Sequence, residues 1–393
     1  MFSRRSIAMS CLSAVAMALP NICFAEDTLR IGLILPMTGP FASTGRLIES
    51  GVNLYMKKHG DTVAGRRVEI ILKDDTGTPA IAKRLAQELI TNDKVNVLAG
   101  FGLTPIAFSV APLATQAEVP MIVMMAATSL ITEASPYIVR TSYTLPQVTE
   151  PLADWARKNS ISKVVTLVSD YGPGVDAERA FGDRFSSKGG IAVGELRVPL
   201  RDPDFSPALQ RAADAEADAL FVFVPTGAGT SIMKQIVERG LDRKGLKVIT
   251  AGSIVEDEVL NSLGDAALGI VSTQHYSADH DSPENREFVA AYKAATNGGR
   301  PDIPAVHAYD GMHVIYEALR KTGGAIDGQR LVDAMKGLAW MSPRGPVSID
   351  PETRDIVQNV YIRKVMRKDG ELYNVEFETI PNVKDPVKLA KKK

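Results

Sequence analysis

The stretch LRIGLILPMTGPFASTGRLIESGVNLYMKK, residues 29–58, contains the first example of the pattern that decides the fold. Its opening, Leu29–Pro36, is almost entirely apolar, as expected of a strand that is covered on both faces of its sheet. A loop rich in Gly, Pro, Ser and Thr follows, and Gly45–His59 then has the apolar spacing of a helix. A strand, a loop and a helix in this order predict the repeating unit of a parallel sheet.

This alternation continues along the chain and then starts again, which predicts two α/β lobes, each with its own sheet. The end of the chain, Gly345–Ile380, alternates instead as antiparallel strands do. In the two α/β sets, the predicted strands after the first are short runs rich in apolar residues: Val68–Asp74, Val95–Gly100, Pro120–Met125, Lys163–Ser169, Ile191–Pro199, Ala219–Pro225, Lys247–Ala251 and Gly269–Gln274.

Residues 1–25 have the composition of an export signal. Two arginines precede an apolar run of small residues, and Cys23-Phe24-Ala25 has small residues at the positions that signal peptidase requires. The run is too short, and too interrupted by Pro20 and Asn21, to span a bilayer. We therefore expect cleavage near Ala25 and release of a freely soluble protein into the periplasm. Both cysteines of the chain lie in this segment, so the mature protein is predicted to contain no thiol.

Two other export signals share part of this pattern. Ser3-Arg4-Arg5 is similar to the start of a twin-arginine signal, although no Phe-Leu pair follows it. A lipoprotein anchor at Cys23 is disfavoured because the residues just before it are not small. The Sec and twin-arginine routes both stay open, and each leads to an exported protein.

Size and charge restrict the function further. Without the predicted signal, 368 of the 393 residues remain, which is too many for one simple core and favours two domains. The 45 basic and 46 acidic residues nearly balance, and this argues against nucleic-acid or membrane-surface binding. The chain has no phosphate-binding loop, HExxH or GxSxG motif. We therefore predict no enzyme activity, no cofactor and no metal site.

The loops at the carboxyl ends of the predicted strands are the expected ligand site. In Gly100–Pro105, Thr104 suits a helix N-cap and Pro105 the first helical position. The free N–H groups of that turn then form either an anion site or merely a well-capped helix. The neighbouring loop, Ala126–Thr128, offers small side chains and further N–H groups, and a second helix cap is an equal alternative.

Two more residues are candidates for this cleft. Tyr171 follows the first strand of the second set, where its ring can cover a ligand or simply complete a turn. His307 can line the cleft as a hydrogen-bond donor. A metal is not expected there, because His307, Asp310 and His313 match no known ligand spacing.

The stretch at residues 29–58 resembles the opening of the type I periplasmic solute-binding proteins of ABC importers, in the leucine/isoleucine/valine-binding branch. The resemblance continues through Gly65–Gly100, Tyr137–Ser142 and Asp170-Tyr171-Gly172, and it covers about residues 28 to 365. It implies two Rossmann-like lobes, joined by three crossovers near 145, 277 and 342, that close around a ligand by hinge bending. It also implies a monomer that delivers its ligand to a membrane permease. A sensor that presents ligand to a receptor is an alternative.

On this resemblance the lobes have defined limits. The N-terminal lobe comprises residues 26–145 and 277–341, the C-terminal lobe comprises 146–276 and 342–380, and residues 381–393 form a flexible tail. The Ser or Thr that binds the ligand carboxylate in the family falls on Thr104, and the loop whose N–H groups assist falls on Ala126, Ala127 and Thr128. The other positions assigned to the ligand site are Phe41, Thr44, Leu103, Tyr171, Thr226, Gly252, Ser253 and His307.

One departure from the family bears on the ligand. Amino-acid binders keep an acid at the end of a second-lobe strand, whereas here Ala251–Ile254 contains none before Glu256 and Asp257. A buried ammonium group without a counter-charge is costly. The sequence therefore favours an aromatic or other organic acid. A branched-chain or other amino acid is the alternative, because Glu256 can turn toward the cleft.

Overall fold

The computed structural model describes residues 28–201, 203–225, 228–241, 245–252 and 254–391. The predicted signal at 1–25 and two predicted site residues, Thr226 and Ser253, lie outside these ranges. Across the described part, no helix has the length and apolar character needed to cross a membrane.

Strands and helices alternate as the sequence predicts. The strands are β1 (Leu29–Leu35), β2 (Thr62–Val63), β3 (Arg66–Asp74), β4 (Val97–Gly100), β5 (Met121–Val123), β6 (Ile138–Arg140), β7 (Lys163–Ser169), β8 (Ile191–Val198), β9 (Ala219–Phe223), β10 (Lys247–Thr250), β11 (Val271–Gln274), β12 (Ala339–Ser342), β13 (Gly345–Ile349), β14 (Ile356–Lys368) and β15 (Glu371–Val383). The helices are α1 (Ala42–His59), α2 (Pro79–Thr91), α3 (Thr104–Ala117), α4 (Leu145–Lys158), α5 (Gly172–Ser187), α6 (Ser206–Asp214), α7 (Gly229–Glu238), α8 (Leu260–Leu263), α9 (Pro283–Ala295), α10 (Ile303–Lys321), α11 (Gly328–Met335) and α12 (Pro386–Ala390).

The first sheet has the order β2-β3-β1-β4-β5-β6 and is parallel except for β2, which pairs antiparallel with β3. Its core joins the strands to α10 and α11, which come from much later in the chain. Helices α1 and α10 pack on each other very closely. A Cβ atom at Gly51 would lie 2.2 Å from the carbonyl oxygen of Ala305, so only glycine allows this approach.

The second sheet has the order β12-β13-β14-β11-β10-β9-β7-β8, and β15 pairs with β14 beside this path. Strands β7 to β11 run parallel, whereas β12 to β15 are antiparallel; the alternating sequence predicted this for β13 to β15 and did not indicate β12. The predicted class, α/β with two lobes, is confirmed. The chain passes between the two sheets three times, before α4, after β11 and before β12.

The prediction of a flexible tail at 381–393 does not hold for residues 381–391. Strand β15 continues to Val383, and α12 follows it directly. Lys388 of α12 is buried, and its ammonium nitrogen lies 2.5 Å from Oδ2 of Asp355. A contact with a residue so far back in the chain cannot be inferred from a polar, lysine-rich end.

In the turn between β12 and β13, the side chain of Arg344 is fully buried. Its Nε donates to Oδ2 of Asp310 on α10 at 2.8 Å, and its Nη2 donates to the carbonyl of Thr141 at 2.6 Å. Its Nη1 donates to Oε1 of Gln358 on β14 at 2.8 Å. Asp310 also accepts a hydrogen bond from the indole N–H of Trp340 at 2.9 Å. One guanidinium group therefore connects the first lobe, the first connection and the second sheet.

A second buried arginine, Arg140, ends β6. Its Nε lies 3.0 Å from Oδ1 of Asp355, at the start of β14. Its two Nη groups donate to the carbonyls of Tyr143 at 3.0 Å and Thr128 at 2.8 Å. The arginine thus fixes the loop after β5 and the first connection to the same part of the second sheet.

Replacement of Arg344 by alanine should leave Asp310 buried without its cation. We expect Arg344→Ala to lower the free energy of unfolding by about 3–5 kcal/mol, the usual cost of breaking a buried ion pair. Urea denaturation measures this change, and Arg46→Ala, at an exposed position of α1, should change it by less than about 0.5 kcal/mol. Equal stability of the two variants would contradict the role given to Arg344.

Asp75, just after β3, should make stability depend on pH. Its Oδ1 accepts the N–H of Gly77 at 2.7 Å, while burial raises the pKa of its carboxyl to about 6. The folded chain holds this proton more tightly than the unfolded chain, so the group's contribution is fully present below about pH 4 and is lost as the pH rises through about 6. The loss is at most about 3 kcal/mol. Asp75→Asn should remove this dependence in denaturant midpoints compared between about pH 4 and pH 7.5.

The control for this comparison is Asp183→Asn, at an exposed position of α5. This variant should show the same change of denaturant midpoint with pH as the unaltered protein. If Asp75→Asn shows that change as well, the titration of Asp75 does not contribute to it.

Candidate ligand-binding site

A cavity of about 40 Å³ lies between the two lobes, at the carboxyl ends of strands from both sheets. None of its described wall residues carries a charged side chain. The first lobe contributes Phe41, Thr44, Gly102, Leu103, Thr104, Met125, Ala126 and Ala127, the first connection contributes Tyr143, and the second lobe contributes Tyr171, Pro173, Phe223, Val224 and Pro225.

Helix α3 begins at this wall, and its start differs from the prediction. The N-cap is Leu103, in an extended conformation, so the expectation that Thr104 caps the helix is wrong by one residue. The hydroxyl of Thr104 instead donates to Oγ1 of Thr128 at 3.3 Å. Gly100 turns the chain into this loop with φ +108°, and a Cβ atom there would lie 2.4 Å from the carbonyl oxygen of Ile34.

Helix α5 of the second lobe begins opposite α3. A Cβ atom on Gly172, its first residue, would lie 3.6 Å from Oγ1 of Thr128 and 3.7 Å from Cγ2 of Thr104. Neither helix has an acidic residue in its first turn. Two helix N-termini, each with a partial positive charge, therefore meet beside the cavity. Their free donors are few, because Pro105 and Pro173 have no N–H and the N–H of Ile106 donates to the carbonyl of Leu103 at 3.1 Å. This arrangement favours an anion.

The loop after β5 offers fewer hydrogen-bond donors to the cavity than the sequence predicted. The N–H of Ala126 donates to the carbonyl of Phe101 at 3.0 Å and is not available to a ligand. The N–H of Ala127 makes no hydrogen bond to another described residue. Thr128 lies behind the wall, where its hydroxyl hydrogen-bonds Asp176 of α5; burial raises the pKa of Asp176 and this bond lowers it. Thr128 therefore contributes to contact between the lobes.

Two tyrosines supply hydroxyl groups at the wall. Burial raises the pKa of Tyr143 to about 12 and raises that of Tyr171 as well, so both hydroxyls keep their protons at neutral pH. The sequence analysis missed Tyr143, although it lies in the segment that links the lobes. Its place in the predicted crossover between the lobes was the one sequence feature that could have indicated a position in the cleft.

His307 does not lie on the cavity wall. It is fully buried beneath Tyr143, with 5.8 Å between the ring centroids, and its Nε2 is 2.5 Å from Nε2 of His275. Burial lowers the pKa of both histidines well below the usual value, so both rings are neutral. Gly252 is also absent from the wall, since the side chain of Gln274 fills the space where its Cβ would be.

Neither of the two acids that follow β10, Glu256 and Asp257, belongs to the described cavity wall. Asp257 accepts hydrogen bonds from the N–H of Ala278 at 3.0 Å and from Nδ2 of Asn374 at 3.2 Å, and it is committed to these groups. Glu256 is buried, and its charge is close enough to Tyr143 to contribute to the raised pKa of that tyrosine. Among the described residues no group of His, Cys, Asp and Glu has an arrangement that could hold a metal ion.

The chain is similar to known proteins over nearly all of its length. A family model described as periplasmic binding protein matches residues 28–371. Leu/Ile/Val-binding protein homolog 6 of Brucella abortus is 45% identical, with 97% of this chain and 98% of that protein covered. The solute-binding protein of an ABC transporter from Rhodopseudomonas palustris BisB5, solved in complex with 3,4-dihydroxy benzoic acid, is 61% identical with a TM-score of 0.91, covering 92% of this chain and 100% of that one.

A second solved structure is also similar. It is the solute-binding protein of an ABC transporter from Rhodopseudomonas palustris HaA2, in complex with p-hydroxybenzoic acid. It is 45% identical, with a TM-score of 0.89, and the match covers 93% of this chain and 100% of that one. The two-lobed fold of more than nine-tenths of this chain is thus common to these proteins.

Proposed function

We propose that this chain, which belongs to the periplasmic binding protein family, captures an aromatic carboxylate between its two lobes for an ABC importer. The observation that carries the proposal is the cavity itself, where two helix N-termini meet a wall without charged side chains. The mature protein would act in the periplasm, as a monomer without enzyme activity, and would deliver its ligand to a membrane permease.

The carboxylate end of the ligand is assigned to the starts of α3 and α5. A buried carboxylate needs hydrogen-bond donors in place of water. The N–H of Ala127, the N–H groups of Thr104 and Gly172 that begin the two helices, and the hydroxyl of Thr104 once it turns from Thr128 can supply them. Since the helix dipoles favour negative charge, no arginine or lysine is required on the wall.

The ring of the ligand is assigned to the apolar part of the wall. Phe41, Leu103 and Met125 of the first lobe face Phe223 and Val224 of the second across the cavity. Such side chains suit an aromatic ring, and the hydroxyls of Tyr143 and Tyr171 can meet polar ring substituents. The two similar proteins solved with dihydroxybenzoic and hydroxybenzoic acids support this class of ligand.

An amino acid is the second candidate, because of Glu256. The negative charge of this buried carboxylate contributes to the raised pKa of Tyr143, a residue of the cavity wall. A carboxylate there can provide the counter-charge that an ammonium group needs. The Brucella relative is named for leucine, isoleucine and valine. Against this candidate, no carboxylate belongs to the described cavity wall.

Capture would require the lobes to move. An apolar cavity of about 150 Å³ holds one benzene ring, whereas this cavity measures about 40 Å³. A benzoate therefore enters only if the lobes separate or the wall side chains shift. The three connections between the lobes are the natural axis for this hinge motion, and Arg344 ties the first of them to α10.

A thermal-shift panel on residues 26–393 separates the two candidates. A ligand at about 100 times its dissociation constant adds roughly 2.7 kcal/mol, which raises the melting temperature by several degrees. We expect shifts with 3,4-dihydroxybenzoate and 4-hydroxybenzoate, and none with leucine, valine or aliphatic acids. A shift with leucine or valine alone would assign the pocket to amino acids.

Thr104→Ala tests the carboxylate end. The loss of one hydroxyl donor should weaken 3,4-dihydroxybenzoate binding by about 1–2 kcal/mol, or roughly fivefold to thirtyfold in the dissociation constant. Isothermal titration calorimetry measures the change. Thr115→Ala is the matched control, because Thr115 lies on the same helix away from the cavity. An unchanged dissociation constant in Thr104→Ala would remove this residue from the site.

A further inference from the structure

A residue outside the cavity connects the two lobes at the cavity's edge. Arg201 follows β8 of the second sheet. Its Nη2 donates to the carbonyl oxygen of Gly77 at 3.0 Å, and Gly77 lies in the loop between β3 and α2 of the first lobe. The guanidinium group therefore bridges from one lobe to the other.

The same guanidinium lies against a wall residue of the cavity. Its Cζ is 5.8 Å from the ring centroid of Phe41, within the range of a cation–π contact. Phe41 is only 3% exposed and borders the cavity. Arg201 thus packs against the part of the Phe41 ring that does not face the cavity.

Gly77 makes this packing possible. It has φ +67°, and a Cβ atom there would lie 2.8 Å from Cδ2 of Phe41. Any larger residue would push the ring away from its place. The aromatic ring is therefore confined on its outer side by the backbone of one lobe and the guanidinium of the other.

The residue before Arg201 gives independent support. Leu200 is partly buried against the first-lobe core cluster that contains Phe41, Leu103 and Ile106. The segment after β8 thus rests on the first lobe through an apolar contact as well as through the arginine. Because its partners belong to the opposite lobe, these contacts exist only when the lobes are together.

We propose that Arg201 is a positioning residue that holds Phe41 over the bound ligand and delays reopening of the lobes. The inference rests on the proposed function, since it concerns release of a ligand enclosed between the lobes. Arg201 is exposed, so water competes for its hydrogen bond and the latch is weak. A weak latch limits the release rate without making capture irreversible.

The test is the kinetics of 3,4-dihydroxybenzoate and, separately, L-leucine on the immobilised mature chain, measured by surface plasmon resonance. Arg201→Met should raise the dissociation rate about threefold to tenfold, while the association rate changes less than about twofold. Arg201→Lys keeps the charge but loses the planar fork that makes both contacts, so it should also release faster. Arg211→Met, which removes an exposed charge of α6 in the same lobe, should match the unaltered protein.

A double-mutant cycle shows whether Arg201 acts through Phe41. In a Phe41→Leu background, Arg201→Met should raise the dissociation rate by less than it does alone. Equal dissociation rates for the Arg201 variants and the unaltered protein, or an effect confined to the association rate, would overturn the latch alone. Failure of the unaltered protein to bind either probe would overturn the proposed function and the latch together.

Discussion

The buried ion pair between Arg344 and Asp310 is the contact on which the arrangement of the two lobes depends. Taking both charges out of water is expensive, and only a full set of hydrogen bonds compensates for it. Here Arg344 donates hydrogen bonds to α10, to the first connection and to β14, and the indole N–H of Trp340 donates a further one to Asp310. Apolar packing alone would allow the connections to take several orientations, because apolar contacts, unlike hydrogen bonds, have no preferred direction. The buried ion pair between Arg140, at the end of β6, and Asp355, just before β14, joins the two sheets in a similar way.

The geometry of the cavity follows from how these connections orient the sheets. In both lobes the parallel strands end at the cleft, so helices that follow them present their N-termini to it. The starts of α3 and α5 come from different lobes and still meet at Thr104 and Thr128. A partial positive charge is thereby built from backbone beside a cavity whose described wall residues carry no charge, and the nearest acid, Asp176 of α5, lies behind the wall on Thr128. An end that suits an anion therefore lies beside apolar walls, which is the combination that the proposed function requires.

Local sequence was sufficient for much of this description. Thr104, Ala126, Ala127 and Tyr171 were predicted at the cleft because they follow predicted strands, and Phe41, Thr44 and Leu103 were assigned there by the family resemblance; all seven border the cavity. Long-range contacts account for the failures. His307 is buried because His275 of another segment packs on it. The C-terminal segment is folded because Lys388 forms a buried ion pair with Asp355. The N–H of Ala126 is occupied by Phe101, a pairing between two loops that no residue pattern indicates. Tyr143 was missed because its position depends on how both lobes meet.

The hydrogen bond from Trp340 to Asp310 also gives the molecule a natural optical probe. The chain has only two tryptophans, Trp155 on α4 and Trp340 on β12. The indole of Trp340 donates to a carboxylate that is paired with Arg344, and its ring lies 4.9 Å from that of His313. Indole emission responds to nearby charge, so a rotation that shifts this ion pair changes the fluorescence of one residue. Trp155, within the second lobe, serves as the internal reference, and lobe movement can be followed without any attached dye.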